Sequence, residues 1–340
     1  MNKLSNLLVY GSSHALVDAT CAGIAFSMTV SNEQFFYFIV LYNLLAFGLQ
    51  LPIGLISDKY DLPRQFAIIG CITLAIASII FHESLFLGIC LAGLGNACFH
   101  VGGGSISLNL TPKRASAPGI FVAPGALGLL IGTKIGTSGY FISWHFVLLL
   151  LFFCILILYV DIPKIDYARP VREVNSSIFE IVVLLLLISI AIRSIIGLAL
   201  VLPWKSDPTL LIILALGVFL GKSLGGILAD RYGWIKVSII SLFISSFLIS
   251  FESNISYLAI VGLFLFNMIM PVTLVAISNM FPGRPGFSFG LNCLALIIGA
   301  LPTFADIFKG ANSSMVFIIT MISTISLLVG LKLYFRLNHY

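Results

Sequence analysis

An all-α integral membrane protein with twelve transmembrane helices is the fold the sequence predicts, and three observations predict it. The chain of 340 residues carries 18 Lys+Arg and 13 Asp+Glu, so charge is 9 % of it, against about 25 % in an ordinary soluble domain. Hydrophobic residues make up 59 % and the mean hydropathy is +1.12. Apolar runs near the ~20 residues that cross a hydrocarbon core recur along the whole length, and the second half repeats marks of the first. A fold with so few charges cannot cover a water-facing surface. That composition excludes a soluble enzyme, a disordered scaffold and a nucleic-acid binder.

Breaks at charges, prolines and polar clusters delimit the spans at 5–29, 33–57, 65–82, 84–109, 116–138, 143–160, 178–203, 208–229, 236–251, 255–280, 285–308 and 312–335. The longest polar stretch, 161–177, separates two six-span halves, 1–160 and 178–340. The short connections leave no room for a separate soluble domain. Lys and Arg set the orientation. With the N-terminus cytoplasmic, thirteen of the 18 fall on the cytoplasmic side, Lys205 and Lys309 fall outside, and Lys134, Arg193 and Lys222 lie within spans. Both termini are therefore expected in the cytoplasm, in a plasma membrane such as the bacterial inner membrane. No small-residue cleavage site follows the first run, so it is expected to be retained. The six cysteines all lie in apolar runs, without CxxC or His/Cys ligand spacing. They read as small buried thiols, and neither a metal nor a cofactor is expected.

The repeat is specific. After span 2 come Gly54, Asp58, Lys59, Tyr60 and Arg64; after span 8 come Gly226, Asp230, Arg231, Tyr232 and Lys236, each 172 residues later. Asn109, Pro112 and Arg114 match Asn279, Pro282 and Arg284 at an offset of 170, and Pro118-Gly119 with Gly132 match Pro285-Gly286 with Gly299 at 167. Each pair sits on one membrane side, which implies two parallel halves able to rock about a midplane site. The Gly permits close helix contact, and the Asp can accept from a helix N-terminus or an Arg. The bases hold a cytoplasmic gate.

In these residues the sequence resembles the major facilitator superfamily, whose signature between helices 2 and 3 reads G-x-L-x-D-R-x-G-R-R, with a weaker copy between helices 8 and 9. Here the second copy is better preserved, and the first has Lys59 for Arg and Asp61 for Gly. The resemblance implies the major facilitator fold and a secondary transporter. A finer resemblance, to the fosmidomycin-resistance branch, rests on Arg193-Ser194-x-x-Gly197-Leu198, on Pro282-Gly283-Arg284-x-Gly286, and on Phe99-His100 with the glycines beyond it. Where that branch follows the His with Pro-Glu, this chain has Val101-Gly102, so sequence leaves no acid beside His100.

An ionisable group inside a span faces the bundle interior by default and marks function. At about 1.5 Å per residue, Asp18 and Arg193 lie about 20 and 22 Å from the cytoplasmic face. They sit on the equivalent spans 1 and 7, so the two are expected to meet at one level. Asp18 is the candidate proton-coupling residue, a static ion pair with Arg193 that fixes helix packing being the other reading; His14 shares its helix face four residues earlier, as a proton relay or equally as a hydrogen-bonded packing residue. Arg193, Asn96, His100, Asn267 and Lys222 are the candidate substrate-binding residues. Asn96 and Asn267 occupy matching places on spans 4 and 10; glue between helices is an equal reading for them, as snorkelling is for Lys222. The deep charge is cationic in excess, which suits a small carboxylate, phosphonate or phosphate ester held by Arg.

The expected function is proton-coupled efflux of a small anionic or drug-like compound by alternating access. The partners are that molecule, protons and the bilayer, with no nucleic acid, and the working unit is a monomer. Proton-coupled uptake of an organic anion, sugar or nucleoside keeps the same fold with the direction reversed. A membrane enzyme using His100 or His14 as base is a remote alternative, because no second catalytic group accompanies either.

Overall fold

The structure, a computed structural model, describes residues 2–167, 176–305, 307–308 and 311–338. The middle of the 161–177 connection, with Arg169 and Arg172, lies outside the described residues, as do Asp306 and Lys309. Among the described residues every element is a helix. In chain order these are α1 (Lys3–Phe26), α2 (Asn32–Gly48), α3 (Gln50–Tyr60), α4 (Pro63–Ile80), α5 (Leu85–Leu110), α6 (Ser116–Val122), α7 (Pro124–Thr137) and α8 (Ser143–Tyr159). There follow α9 (Ser176–Ala199), α10 (Pro208–Tyr232), α11 (Trp234–Phe251), α12 (Ser256–Asn267), α13 (Met270–Met280), α14 (Pro285–Phe304) and α15 (Ser313–Asn338).

Among the described residues ten helical segments are long and apolar enough to cross a membrane when α2–α3, α6–α7 and α12–α13 each count as one. The shorter α8 is an eleventh apolar helix, and α1 is 24 residues long. The three breaks have one cause. Proline has no N–H to donate to the carbonyl four residues back, and its ring clashes there. Pro52, Pro124 and Pro271 each follow a break within three residues, at Leu49, Ala123 and Met268–Ile269. Helix starts follow local chemistry too. Asn2 caps α1, Ser31 forms a capping box with Gln34 on α2, and Asp207 caps α10 ahead of Pro208.

The chain divides into two compact units. Unit 1 contains Met1–Pro112, Ile120–Tyr167 and Gly283–Cys293; unit 2 contains Lys113–Gly119, Ala168–Pro282 and Leu294–Tyr340. In unit 1 the α1–α7 interface is a ladder of small residues at helical spacing. A Cβ on Gly128 or Gly132 would collide with the carbonyl of Ala15 or Ala19, and one on Gly136 would lie 2.8 Å from the Gly23 carbonyl. Close backbone approach of this kind is how helices associate in lipid, where no hydrophobic force distinguishes helix from solvent. Gly132→Val is therefore expected to force α1 and α7 apart and cost at least the ~1–3 kcal/mol of core overpacking. Gly48→Ala is the matched control, since nothing lies within 4 Å of a Cβ there. Thermal unfolding in detergent checks this; equal midpoints for the two variants would refute the ladder.

In unit 2, α15 packs on α9, where the Ser189 and Ser323 hydroxyls meet at 2.9 Å. Trp234 of α11 stacks on Tyr334 of α15 with centroids 5.9 Å apart. Gly299 of α14 approaches the Ala191 carbonyl of α9.

Candidate functional site

The first site is built on α1, α5 and the break between α6 and α7, all within unit 1. His14 and Asp18 are one helical turn apart on α1, and His14 Nε2 lies 3.2 Å from Asp18 Oδ2. From α5, His100 Nε2 comes within 3.7 Å of Asp18 Oδ1 and within 2.9 Å of His14 Nε2. Asn96, one turn before His100, donates its amide to Asp18 Oδ1 at 3.2 Å and to Cys21 Sγ at 3.7 Å. The side-chain nitrogen and oxygen atoms of His14, Asp18 and His100 all lie within 4.8 Å of one another.

Local backbone explains why these rings face each other. The break before Pro124 ends α6, and carbonyls in a last helical turn have no intrahelical donor. The Phe121 carbonyl, in that turn, meets His14 Nδ1 at 2.8 Å. His100 Nδ1 meets the Asn96 carbonyl of its own helix at 2.9 Å. A wall of aromatic rings, Phe99 and Phe121 on His14 and Phe289 on His100, encloses the pair. Gly125 lies over it: a Cβ there would strike Asp18 Oδ2 and leave 2.6 Å to His14 Nε2.

One sequence expectation changes here. His100 is not without an acid, because α1 supplies Asp18 across space where the chain itself has Val101-Gly102. His100 and Asn96, both candidates for the substrate, each engage Asp18.

The second site is Arg193 of α9, in unit 2. It is buried, and its guanidinium donates to the Ser189 carbonyl at 3.3 Å and the Thr273 hydroxyl at 3.0 Å. Neighbouring Ser194 donates to the Leu296 carbonyl. Both partners of Arg193 are neutral, and among the described residues no carboxylate pairs with it. Within unit 1, Asp18 is engaged by His14, His100 and Asn96. Thr273 was not singled out by sequence; a lone threonine beyond a proline break carries no signal of its own. Asn267, at the end of α12, donates to the Leu263 carbonyl of its own helix. Lys222 of α10 is half-buried.

The repeated loops are placed as their chemistry suggests. Asp58 Oδ1 and Oδ2 accept from the Gly286 and Phe287 N–H groups at 2.8 and 2.7 Å, closing the N-terminus of α14. Asp230 does the same for α6, accepting from Ala115 and Ser116 N–H at 2.9 Å each, and from Trp234 Nε1 at 3.1 Å. Close approach requires Gly54 and Gly226, where a Cβ would collide with the carbonyls of Gly286 and Ala115. Arg64 donates to the Leu158 and Val160 carbonyls at the end of α8. Lys59 and Arg231 lie over the rings of Tyr60 and Tyr232. Arg284 acts electrostatically on Asp58. Arg114, with Lys113, Arg231 and Trp234, lines a cavity of about 530 Å³ in unit 2, and Lys236 lines a smaller one.

No curated protein matches the chain in sequence. The fold matches solved structures throughout. The Escherichia coli fucose:proton symporter aligns with a TM-score of 0.70 at 13 % identity, covering 97 % of both chains. A structure of the fucose transporter in an outward conformation aligns at 0.67 and 14 %, covering 97 % of this chain and 99 % of that one. The human organic anion transporter MFSD10 (TETRAN) aligns at 0.76 and 11 %, covering 97 % and 100 %. At such identities the likeness is one of fold. The family model of the Major Facilitator Superfamily matches residues 7–301. With most of its length within that model, its helices in the corresponding fold and its signature loops capping α14 and α6, the chain belongs to the Major Facilitator Superfamily.

Proposed function

We propose that this transporter exports a small anionic or drug-like compound in exchange for protons, by alternating access. In this reading the protein works as a monomer in the plasma membrane, with both termini cytoplasmic. Two six-helix halves, 1–160 and 178–340, are joined by 161–177. Arg193 anchors the substrate, with Lys222 and Asn267 from the same unit beside it in role. Asp18 and His14 carry the coupling proton, and the bases after spans 2, 4, 8 and 10 form the cytoplasmic gate.

The observation that carries this reading is Arg193 itself. A buried guanidinium whose partners among the described residues are neutral bears a large desolvation penalty that no carboxylate among those residues offsets. A bound carboxylate, phosphonate or phosphate ester supplies that counter-ion through the planar fork of donors. Two carriers of similar fold, a fucose:proton symporter and an organic anion transporter, are compatible with such chemistry.

The test is a toxicity panel in a pump-deficient bacterial host, with small phosphonates, fosmidomycin among them, and carboxylates. The finer resemblance to the fosmidomycin-resistance branch guides that choice. Expression of wild type is expected to protect, and Asp18→Asn to lose most of the protection. Sensitisation by wild type would reverse the direction to uptake. Protection that survives Asp18→Asn undiminished would remove the coupling role given to that residue.

A further inference from the structure

We propose that the coupling proton is held between two imidazoles, on the His14 Nε2···Nε2 His100 axis, with the Asp18 carboxylate as its counter-charge and not its carrier. This rests on the proton-coupled reading above and refines it, moving the proton given there to Asp18 and His14 onto the two rings.

The argument begins from what each ring nitrogen faces. A carbonyl oxygen only accepts, so an imidazole nitrogen bonded to one must carry a proton. His14 Nδ1 faces the Phe121 carbonyl and His100 Nδ1 faces the Asn96 carbonyl. Both neutral rings are thereby held as the Nδ1–H tautomer, and each Nε2 presents a lone pair. The two Nε2 atoms lie 2.9 Å apart, with the ring planes at 85°. Two bare acceptors repel at that distance. One proton converts the contact into an N–H···N hydrogen bond of ordinary length.

The charge balances as well. One imidazolium shared by two rings, beside one carboxylate at 3.2 and 3.7 Å, makes a locally neutral cluster. Buried charge is tolerated in that form and not singly. Titratable groups facing it include Cys21 on α1, reached through Asn96, and Tyr42 on α2, which interacts with Cys21 and Asp18. The flanking surfaces from α6, α7 and α14 are Phe121, Gly125 and Phe289, which do not titrate.

The same geometry explains how a proton moves protein. On release, the N–H bond at Nε2 breaks, its electron pair stays on the ring and the proton passes to water in the opened cavity. Two unprotonated acceptor nitrogens then remain in contact, beside a carboxylate that has lost its cation. The cluster cannot keep the 2.9 Å approach, so α1 and α5 lose a contact that the protonated state enforces. A two-state element of this kind is what a coupling ion must bias.

The experiment is nitrogen-15 histidine spectroscopy of the full chain in lipid nanodiscs between pH 5 and 9. It compares wild type with His14→Gln and His100→Gln to assign two of the five histidines. The expected result is Nδ1–H on both rings throughout, and uptake of one proton by the pair, with both Nε2 signals moving together. A nitrogen–nitrogen coupling across the shared bond in wild type reports the pair even if neither variant folds. Two protons taken up independently would overturn the proposal, as would two rings that stay neutral while Asp18→Asn abolishes proton uptake. A transition metal that co-purifies at one per chain and occupies both Nε2 atoms would overturn it too. A shared proton in a protein whose transport ignores the proton gradient would refute the coupling reading and leave the pair standing.

Discussion

Replacing Arg193 by alanine is expected to abolish transport of an anionic substrate while leaving the protein folded. Two charge-assisted hydrogen bonds to a carboxylate or phosphonate contribute about 1.5–3 kcal/mol each. Losing even half of that total weakens binding by about 10- to 100-fold. Lysine at 193 keeps the charge but not the fork, and is expected to retain part of the affinity. Stability is expected to move the other way. An uncompensated buried cation is costly, so Arg193→Met, similar in length and apolar, should melt at or above the wild-type temperature. A residue that merely held α9 in place would show the reverse, with stability lost along with transport. Ligand binding and thermal unfolding on the same preparations separate the two roles.

The second large effect is expected at Asp58. Its two oxygens hold consecutive N–H groups at the start of α14, where the helix dipole adds to the attraction. Asp58→Ala leaves those donors unmet and is expected to cost about 2–4 kcal/mol of stability. Asp58→Asn keeps the shape with one acceptor and no charge, and should lie between. Asp230→Ala is expected to behave alike, because it frees the Ala115 and Ser116 N–H groups at the start of α6. Unfolding midpoints at these two positions that match the wild type would mean that the repeated acids cap nothing of consequence.

The repeat was the most legible part of the sequence, and the structure gives its spacing a physical meaning. Gly54 and Gly226 are small because a carbonyl lies where a side chain would begin, and the aligned acids cap aligned helix starts. Even the departures from the family signature become intelligible. Gly233, where the signature asks for Gly, has φ of 100°, and its counterpart Asp61 is left-handed at 56°. Aspartate is among the few residues that tolerate that region. Lys113 and Gly283 form a second such pair, at 63° and 78°.

The cluster around Asp18 was only half legible. The i,i+4 spacing put His14 beside it, and buried charge marked both as functional. His100 is 82 residues further along the chain, and periodicity cannot say which faces of α1 and α5 meet. That depends on how Gly128 and Gly132 seat α1 on α7, and on where Pro124 frees a carbonyl. The pairing of Asp18 with Arg193 was inferred from depth alone. The partners that unit 1 itself gives the carboxylate, His14, His100 and Asn96, come from two helices whose facing sides depth does not reveal.

The account turns on one claim, that an anion anchored at Arg193 moves against a proton. The most direct measurement is tracer flux in proteoliposomes containing the purified chain, with a radiolabelled small phosphonate or carboxylate chosen from those that the cells are protected against. An imposed proton gradient is expected to drive uphill accumulation by wild type, while Arg193→Ala shows none and Asp18→Asn exchanges label without concentrating it. Uphill flux that persists in Arg193→Ala, or that is indifferent to the gradient in wild type, would contradict the account.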